Sequence, residues 1–141
     1  MDTIKCASIN ARGLRDKSKR LNLFRYLTSN GIDVGFIQET YCTAEFENDF
    51  KTNWKGKIYH SFSKSVHSKG VCIVVNENLC HNVISTHNDE NGRKIVINVK
   101  IKETVFSFIC VYAPNREQDK KIFLNDAKIW CQRANLLKIL S

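Results

Sequence analysis

Long apolar runs are missing from this chain. The longest uninterrupted stretches are about five residues, as in Val71-Cys72-Ile73-Val74-Val75. A bilayer helix needs about 20 residues, so these runs exclude a membrane-spanning helix. The opening residues, MDTIKCASINARG, lack the apolar centre of a secretory signal. Proline occurs once and glycine six times in 141 residues, which argues against a disordered or low-complexity chain. Cysteine is present at 6, 42, 72, 80, 110 and 131, but no two form a C-x-x-C pair. A zinc ribbon and a thioredoxin motif are therefore not indicated. Cys6, Cys72 and Cys110 lie inside apolar strand-like runs, so free, buried thiols in an intracellular protein are expected. Acidic residues are the scarce charge: 14 against 22 Lys and Arg, for a net +8 with His neutral. That excess favours an anionic partner, nucleic acid first and an acidic membrane surface second. A basic domain with no polyanion partner is equally compatible with charge alone.

What is present fits one domain or a piece of one. Hydrophobic residues make up 43% and charged residues 26%, near the averages for folded chains. Residues 4–10 read as a strand. Ala11-Arg12-Gly13 breaks it, and Asp16 is placed to cap a helix over 17–29. Leu21, Leu23, Phe24 and Leu27 give that helix its apolar side, and Asn30-Gly31 stops it. Residues 33–38 read as the second strand. Phe46 and Phe50 point to a short helical turn within 41–56. Runs 57–62, 70–76, 81–86, 93–101 and 104–112 all have strand character, with turn residues between them. Short connections predict antiparallel pairing. Residues 117–139 read as a closing helix. The expectation is an α+β chain: one helical crossover, a mostly antiparallel sheet and a single helical layer. The opposite sheet face has no evident cover in this reading.

Three polar sites stand at predicted strand ends: Asn10, Glu39, and the pair Tyr112 and Asn115. Neighbouring strands bring their ends into one crevice. An amide oxygen and a carboxylate are hard ligands that suit Mg²⁺, which keeps several waters and takes one or two protein carboxylates. A phenol and an amide nearby can hydrogen-bond a phosphate. Together they point to metal-assisted phosphoryl chemistry. Taken singly, each has a plainer reading: Asn10 and Asn115 as turn residues, Glu39 as a solvated charge, Tyr112 as a core aromatic with a wet hydroxyl.

The ordered set Ser8-Ile9-Asn10-Ala11-Arg12-Gly13-Leu14, Ile37-Gln38-Glu39-Thr40-Tyr41, Lys69-Gly70-Val71, Gly92-Arg93 and Val111-Tyr112-Ala113-Pro114-Asn115 resembles the N-terminal half of the endonuclease/exonuclease/phosphatase superfamily. The nearest likeness is to the apurinic-endonuclease-like domain that opens the reverse-transcriptase polyproteins of LINE-type (non-LTR) retrotransposons. The resemblance covers about residues 3–125. It implies a DNase I-like four-layer α/β sandwich with two packed sheets, of which this chain holds part. It implies hydrolysis of a DNA phosphodiester with Mg²⁺ or Mn²⁺, no organic cofactor, and a nuclear location. By motif match Glu39 is the main metal ligand, and Asn10 lies at the metal and the reacting phosphate. Tyr112 hydrogen-bonds the phosphate, and Asn115 shapes its pocket.

Two further motifs of that superfamily are not in these 141 residues: Gly-Asp-Phe-Asn, whose Asp activates the attacking water, and Ser-Asp-His, whose His binds the phosphate. The strand carrying the first is expected to begin near Ser141. None of His60, His67, His81 and His87 stands out as a replacement; each reads as a surface histidine without a partner. Asp119 and Asp126 read as helix-capping or solvated charges. Arg12, Arg15, Lys17, Lys19 and Arg20 crowd the start of the first helix, either as a DNA-backbone footprint or as a solvated face. The expectation is a metal-dependent endonuclease segment of LINE type, inactive by itself. The runner-up within the superfamily is a host repair enzyme for abasic sites. Outside it stand a non-catalytic basic nucleic-acid binder and a transposon relic that self-associates through an exposed sheet face.

Overall fold

The computed structural model describes residues 3–112 and the strand Ile139–Leu140. The chain opens with β1 (Cys6–Asn10), α1 (Lys17–Ser29) and β2 (Val34–Gln38). A 3-10 turn at Ala44–Phe46 leads into α2 (Glu47–Asn53), then β3 (Lys57–Ser61) and β4 (Val71–Val75). β5 (Asn82–Asn88), β6 (Lys94–Ile101), β7 (Thr104–Val111) and β8 (Ile139–Leu140) follow. Asp16 caps α1 as expected, its carboxylate accepting the Lys19 N–H at 3.2 Å. At the other end Asn30 closes on Tyr26, and Gly31 turns the chain with φ +65°.

The strands form two four-stranded sheets, in the orders β1-β2-β4-β3 and β5-β6-β7-β8. β1 and β2 are parallel, as their helical connection requires, with Asn10 opposite Gln38. β2, β4 and β3 pair antiparallel, as do β5, β6 and β7. β8 lies parallel to β7, with Ile139 opposite Ile109. A strand therefore begins at Ile139, where the sequence reading ends a helix; the rest of that predicted helix, with Asp119 and Asp126, lies outside the described residues.

The expectation of a single sheet with an uncovered face is corrected here. β2 and β4 are buried on both faces, so their alternate side chains enter two different cores. Val34, Phe36, Ile73 and Val75 face Ile95, Ile97, Val99, Phe108 and Cys110 of the second sheet. The Phe36 and Phe108 rings meet edge to face at 5.9 Å. Ile37, Cys72 and Val74 point the other way, onto Phe24 and Leu27 of α1 and Phe50 and Trp54 around α2. Each such aliphatic side chain contributes about 1.5–3 kcal/mol of burial. The second sheet of this same chain is thus the cover, and the first sheet's inner face is not open for self-association. Cys42, Cys72 and Cys110 are buried free thiols. Cys6 is exposed, contrary to expectation, because β1 is an edge strand. Among the described residues, no helix is long and apolar enough to cross a membrane.

Candidate active site

The loops that follow β1 and β2 and those that flank β4, β6 and β7 meet at one end of the sandwich. Short backbone hydrogen bonds tie them in sequence. Ala11 N–H donates to Gln38 O, Gly13 N–H to Glu39 O at 2.7 Å, and Leu14 N–H to Thr40 O. Thr40 N–H then donates to Gly70 O and Tyr41 N–H to Lys69 O, both at 2.9 Å. Gly70 N–H donates to Gly92 O at 2.8 Å, which joins the loops of the two sheets. Tyr112 N–H closes the chain on Arg93 O at 2.7 Å. Asn10, Glu39, Lys69, Arg93 and Tyr112 are brought to one edge by this ladder. Asn115 lies outside the described residues.

The ladder is held in unusual backbone conformations. Arg12, Glu39, Tyr41 and Lys69 have φ of 51°, 54°, 56° and 64°. Non-glycine residues there are strained by about 1–3 kcal/mol each, and such strain clusters at functional sites. Gly70 sits among them with φ +87°, and a Cβ there would lie 2.2 Å from Thr40 Oγ1. Only glycine lets the two loops approach so closely. Beneath the ladder, the buried amide of Gln38 donates to Ser8 Oγ at 3.1 Å and meets Cys110 Sγ at 3.5 Å. That amide links the two sheets below the site.

Each predicted site residue has a definite place. Asn10 is exposed, and its Oδ1 accepts the Arg12 N–H at 3.3 Å, so the turn role read from sequence is present. Glu39 is half-buried and accepts the Tyr41 hydroxyl on Oε1 at 3.3 Å. The Tyr41 phenol is held above its ordinary pKa, first by burial of the ring and next by the charge and hydrogen bond of Glu39. Tyr112 is half-buried at the rim of the inter-sheet core. The Arg93 guanidinium sits 5.7 Å from its ring centre, a cation–π arrangement, with Nη1 buried and without a hydrogen-bond partner among the described residues. Tyr41 and Arg93 both stand in the motifs that carry the resemblance, but the sequence gives neither a site role: the hydroxyl contact of Tyr41 depends on two left-handed residues that no local pattern announces.

The basic cluster divides. Arg12, Arg15, Lys17 and Lys19 are exposed. Arg20 is 3% exposed and is not available to a polyanion. Its guanidinium donates to Asn53 Oδ1 at 2.8 Å, Leu14 O at 2.9 Å and Arg15 O at 3.1 Å, and it lies over the Phe50 ring. The reading of Arg20 as a nucleic-acid contact is therefore corrected: it fastens the 14–15 loop to α2. Two histidines also differ from expectation. His60 stacks on Phe62 at 4.3 Å and meets Phe50 edge-on, so burial, helped by Lys51, lowers its pKa to about 4. His81 Nε2 pairs with the Tyr59 hydroxyl at 2.8 Å.

Among the described residues, no group of three or more His, Cys, Asp or Glu side chains converges. One carboxylate with a second oxygen to spare, near an amide, fits a hard cation that keeps most of its waters.

The chain thus presents an amide, a carboxylate and a phenol at the strand ends of a two-sheet sandwich. The chain belongs to the Endonuclease/Exonuclease/phosphatase family, whose profile matches residues 6–136. It is 22% identical over 129 residues to the Transposon TX1 uncharacterized 149 kDa protein of Xenopus laevis, covering 92% of this chain and 10% of that protein. Danio rerio TDP2 complexed with single strand DNA product superposes with a TM-score of 0.63 at 15% identity, over 90% of this chain and 54% of that one. The endonuclease domain of TRAS1, a telomere-specific non-LTR retrotransposon, does so with a TM-score of 0.59 at 11% identity, over 86% and 51%. The two structures establish the fold, and this chain spans about half of each.

Proposed function

We propose that this chain is the N-terminal part of a metal-dependent DNA endonuclease of the LINE retrotransposon type. The observation that supports this most is the backbone ladder that gathers the separated motifs at one edge. The family match over residues 6–136 and the transposon relatives support the same reading.

In this reading Glu39, with Asn10 beside it, holds Mg²⁺ or Mn²⁺. When bound, that ion offsets the negative charge that builds on the phosphate and the leaving oxygen. The protein's own part is positional. Arg12, Arg15, Lys17 and Lys19 line the approach and hold backbone phosphates. The Tyr112 hydroxyl donates to a non-bridging oxygen of the scissile phosphate, and the Arg93 cation keeps its ring in place. Asn115 completes the phosphate pocket by motif match. Abstraction of a proton from water is assigned to no described residue. His60 packs between the Phe50 and Phe62 rings, and Asp89 Oδ1 accepts from Ser61 and the 91–93 turn. The water-activating Asp and the phosphate-binding His belong to motifs these residues do not contain, so the 141-residue chain binds metal and DNA without cutting. Groups that act as a unit lose most of their catalysis when some are removed.

The test joins calorimetric Mn²⁺ binding with nicking of supercoiled plasmid in Mg²⁺. Binding is expected in the 141-residue chain and is lost in Glu39→Ala, with no nicking by either. Robust nicking that disappears in Glu39→Ala would overturn the assigned inactivity and keep the nuclease. Mn²⁺ binding indifferent to Glu39→Ala would overturn the site.

A further inference from the structure

We propose that Tyr41 is a positioning residue for Glu39: its hydroxyl occupies one carboxylate oxygen, so that the group meets a divalent cation through the other oxygen alone and favours Mg²⁺ over Ca²⁺. This rests on the reading of Glu39 as the metal-holding residue.

The contact is built from three sides. The Tyr41 hydroxyl donates to Glu39 Oε1 at 3.3 Å, and Oε2 takes no hydrogen bond among the described residues. The Tyr41 backbone is pinned, its N–H donating to Lys69 O at 2.9 Å with φ 56°. The ring is seated against Gly13, where a Cβ would lie 3.0 Å from Cδ2 and 3.6 Å from Cε2. Gly13, with φ +101°, also donates its N–H to the Glu39 carbonyl at 2.7 Å. One glycine therefore fixes the main chain of Glu39 and the ring that holds its side chain. Residues 39 and 41 are both left-handed, and in the tight turn they make the two side chains meet.

A carboxylate with both oxygens open can grip a large cation with both. Ca²⁺ accepts that geometry, with 6–8 ligands at flexible angles, whereas Mg²⁺ demands a near-ideal octahedron and takes single oxygens. A phenol on Oε1 weighs against the two-oxygen grip. It also spares the carboxylate the entropy of choosing an orientation on binding. At 3.3 Å the bond is long for O–H···O, so its effect is modest.

The test is calorimetric titration of the whole chain with MgCl₂ and, separately, CaCl₂, for wild type, Tyr41→Phe and Glu39→Ala, with melting curves alongside. Tyr41→Phe keeps the ring on Gly13 and deletes only the hydroxyl. The Mg²⁺:Ca²⁺ affinity ratio is expected to fall about three- to tenfold, within what one hydrogen bond to a charged group supplies. An unchanged ratio in a folded Tyr41→Phe, with Glu39→Ala losing both ions, overturns the role of Tyr41 and keeps that of Glu39. Retention of both ions by Glu39→Ala overturns the underlying reading instead. Infrared difference spectra of wild type on Mg²⁺ binding give a check free of any Tyr41 variant. A widened carboxylate splitting, assigned by its loss in Glu39→Ala, marks one-oxygen binding; a narrowed splitting marks two-oxygen binding and overturns the proposal.

Discussion

Arg20→Ala is expected to destabilise the fold severely while leaving nucleic-acid binding to the exposed cations. The side chain is 3% exposed, and its guanidinium serves three acceptors, Asn53 Oδ1, Leu14 O and Arg15 O, at 2.8–3.1 Å. It also lies 5.4 Å from the centre of the Phe50 ring. A hydrogen bond from a charged donor contributes about 1.5–3 kcal/mol, and a buried acceptor left unpaired costs about 1–3 kcal/mol. The Leu14 carbonyl bond is fully buried; the other two acceptors are partly wet and can turn to water. Counting the buried bond in full and discounting the others gives about 3–5 kcal/mol, the range for breaking one partner out of a buried charged network. Urea denaturation followed by tryptophan fluorescence measures it, since Trp54 shares the Phe24 and Phe50 core. Arg20→Lys keeps the charge but not the fork, so it falls between wild type and alanine. A loss below about 1 kcal/mol in Arg20→Ala, the range typical of an exposed charge, would refute the structural assignment. So would a fall in duplex affinity at unchanged stability.

Lys17→Ala with Lys19→Ala is expected to leave stability nearly unchanged and to reduce the salt dependence of duplex binding. If both side chains meet phosphates, the log–log slope against salt falls by about 2, read by fluorescence anisotropy between low and physiological salt. His60 governs an acid-side effect. Its folded pKa of about 4 lies below the ordinary 6.5, so the unfolded chain binds the proton first as pH drops. Its contribution is complete above pH 6.5 and is lost as pH falls toward 4, by about 3 kcal/mol at the limit. His60→Phe should flatten that part of the pH–stability curve, and an unaltered curve would count against the burial argument.

Several local features were legible because they are local. Asp16, Asn30 and Gly31 mark the ends of α1 through bonds within three or four residues, and the structure places the helix at Lys17–Ser29. Alternating and continuous apolar runs marked β1 to β7 for the same reason. The second sheet was not legible as a separate layer. Val34, Phe36, Ile73 and Val75 look like any strand interior until their partners Ile95, Ile97 and Phe108 are known. Arg20 reads as one more cation in a basic run; only the approach of Asn53, 33 positions away, shows that it is buried. Cys6 sits in an apolar run yet is exposed, because an edge strand leaves half its surroundings to solvent.

The sequence by itself determined the elements from β1 to β7, the excess of positive charge and the ordered motifs by which the chain resembles its family. Those are properties of short segments and of composition. Which charges face water, which carboxylate oxygen is occupied and which sheet covers which were decided by tertiary structure. Each depends on contacts between residues far apart in the chain: Gly13 with Tyr41, Gly70 with Gly92, Arg20 with Asn53. A side chain's environment is set by the neighbours that packing brings to it, and those neighbours are not written beside it in the sequence.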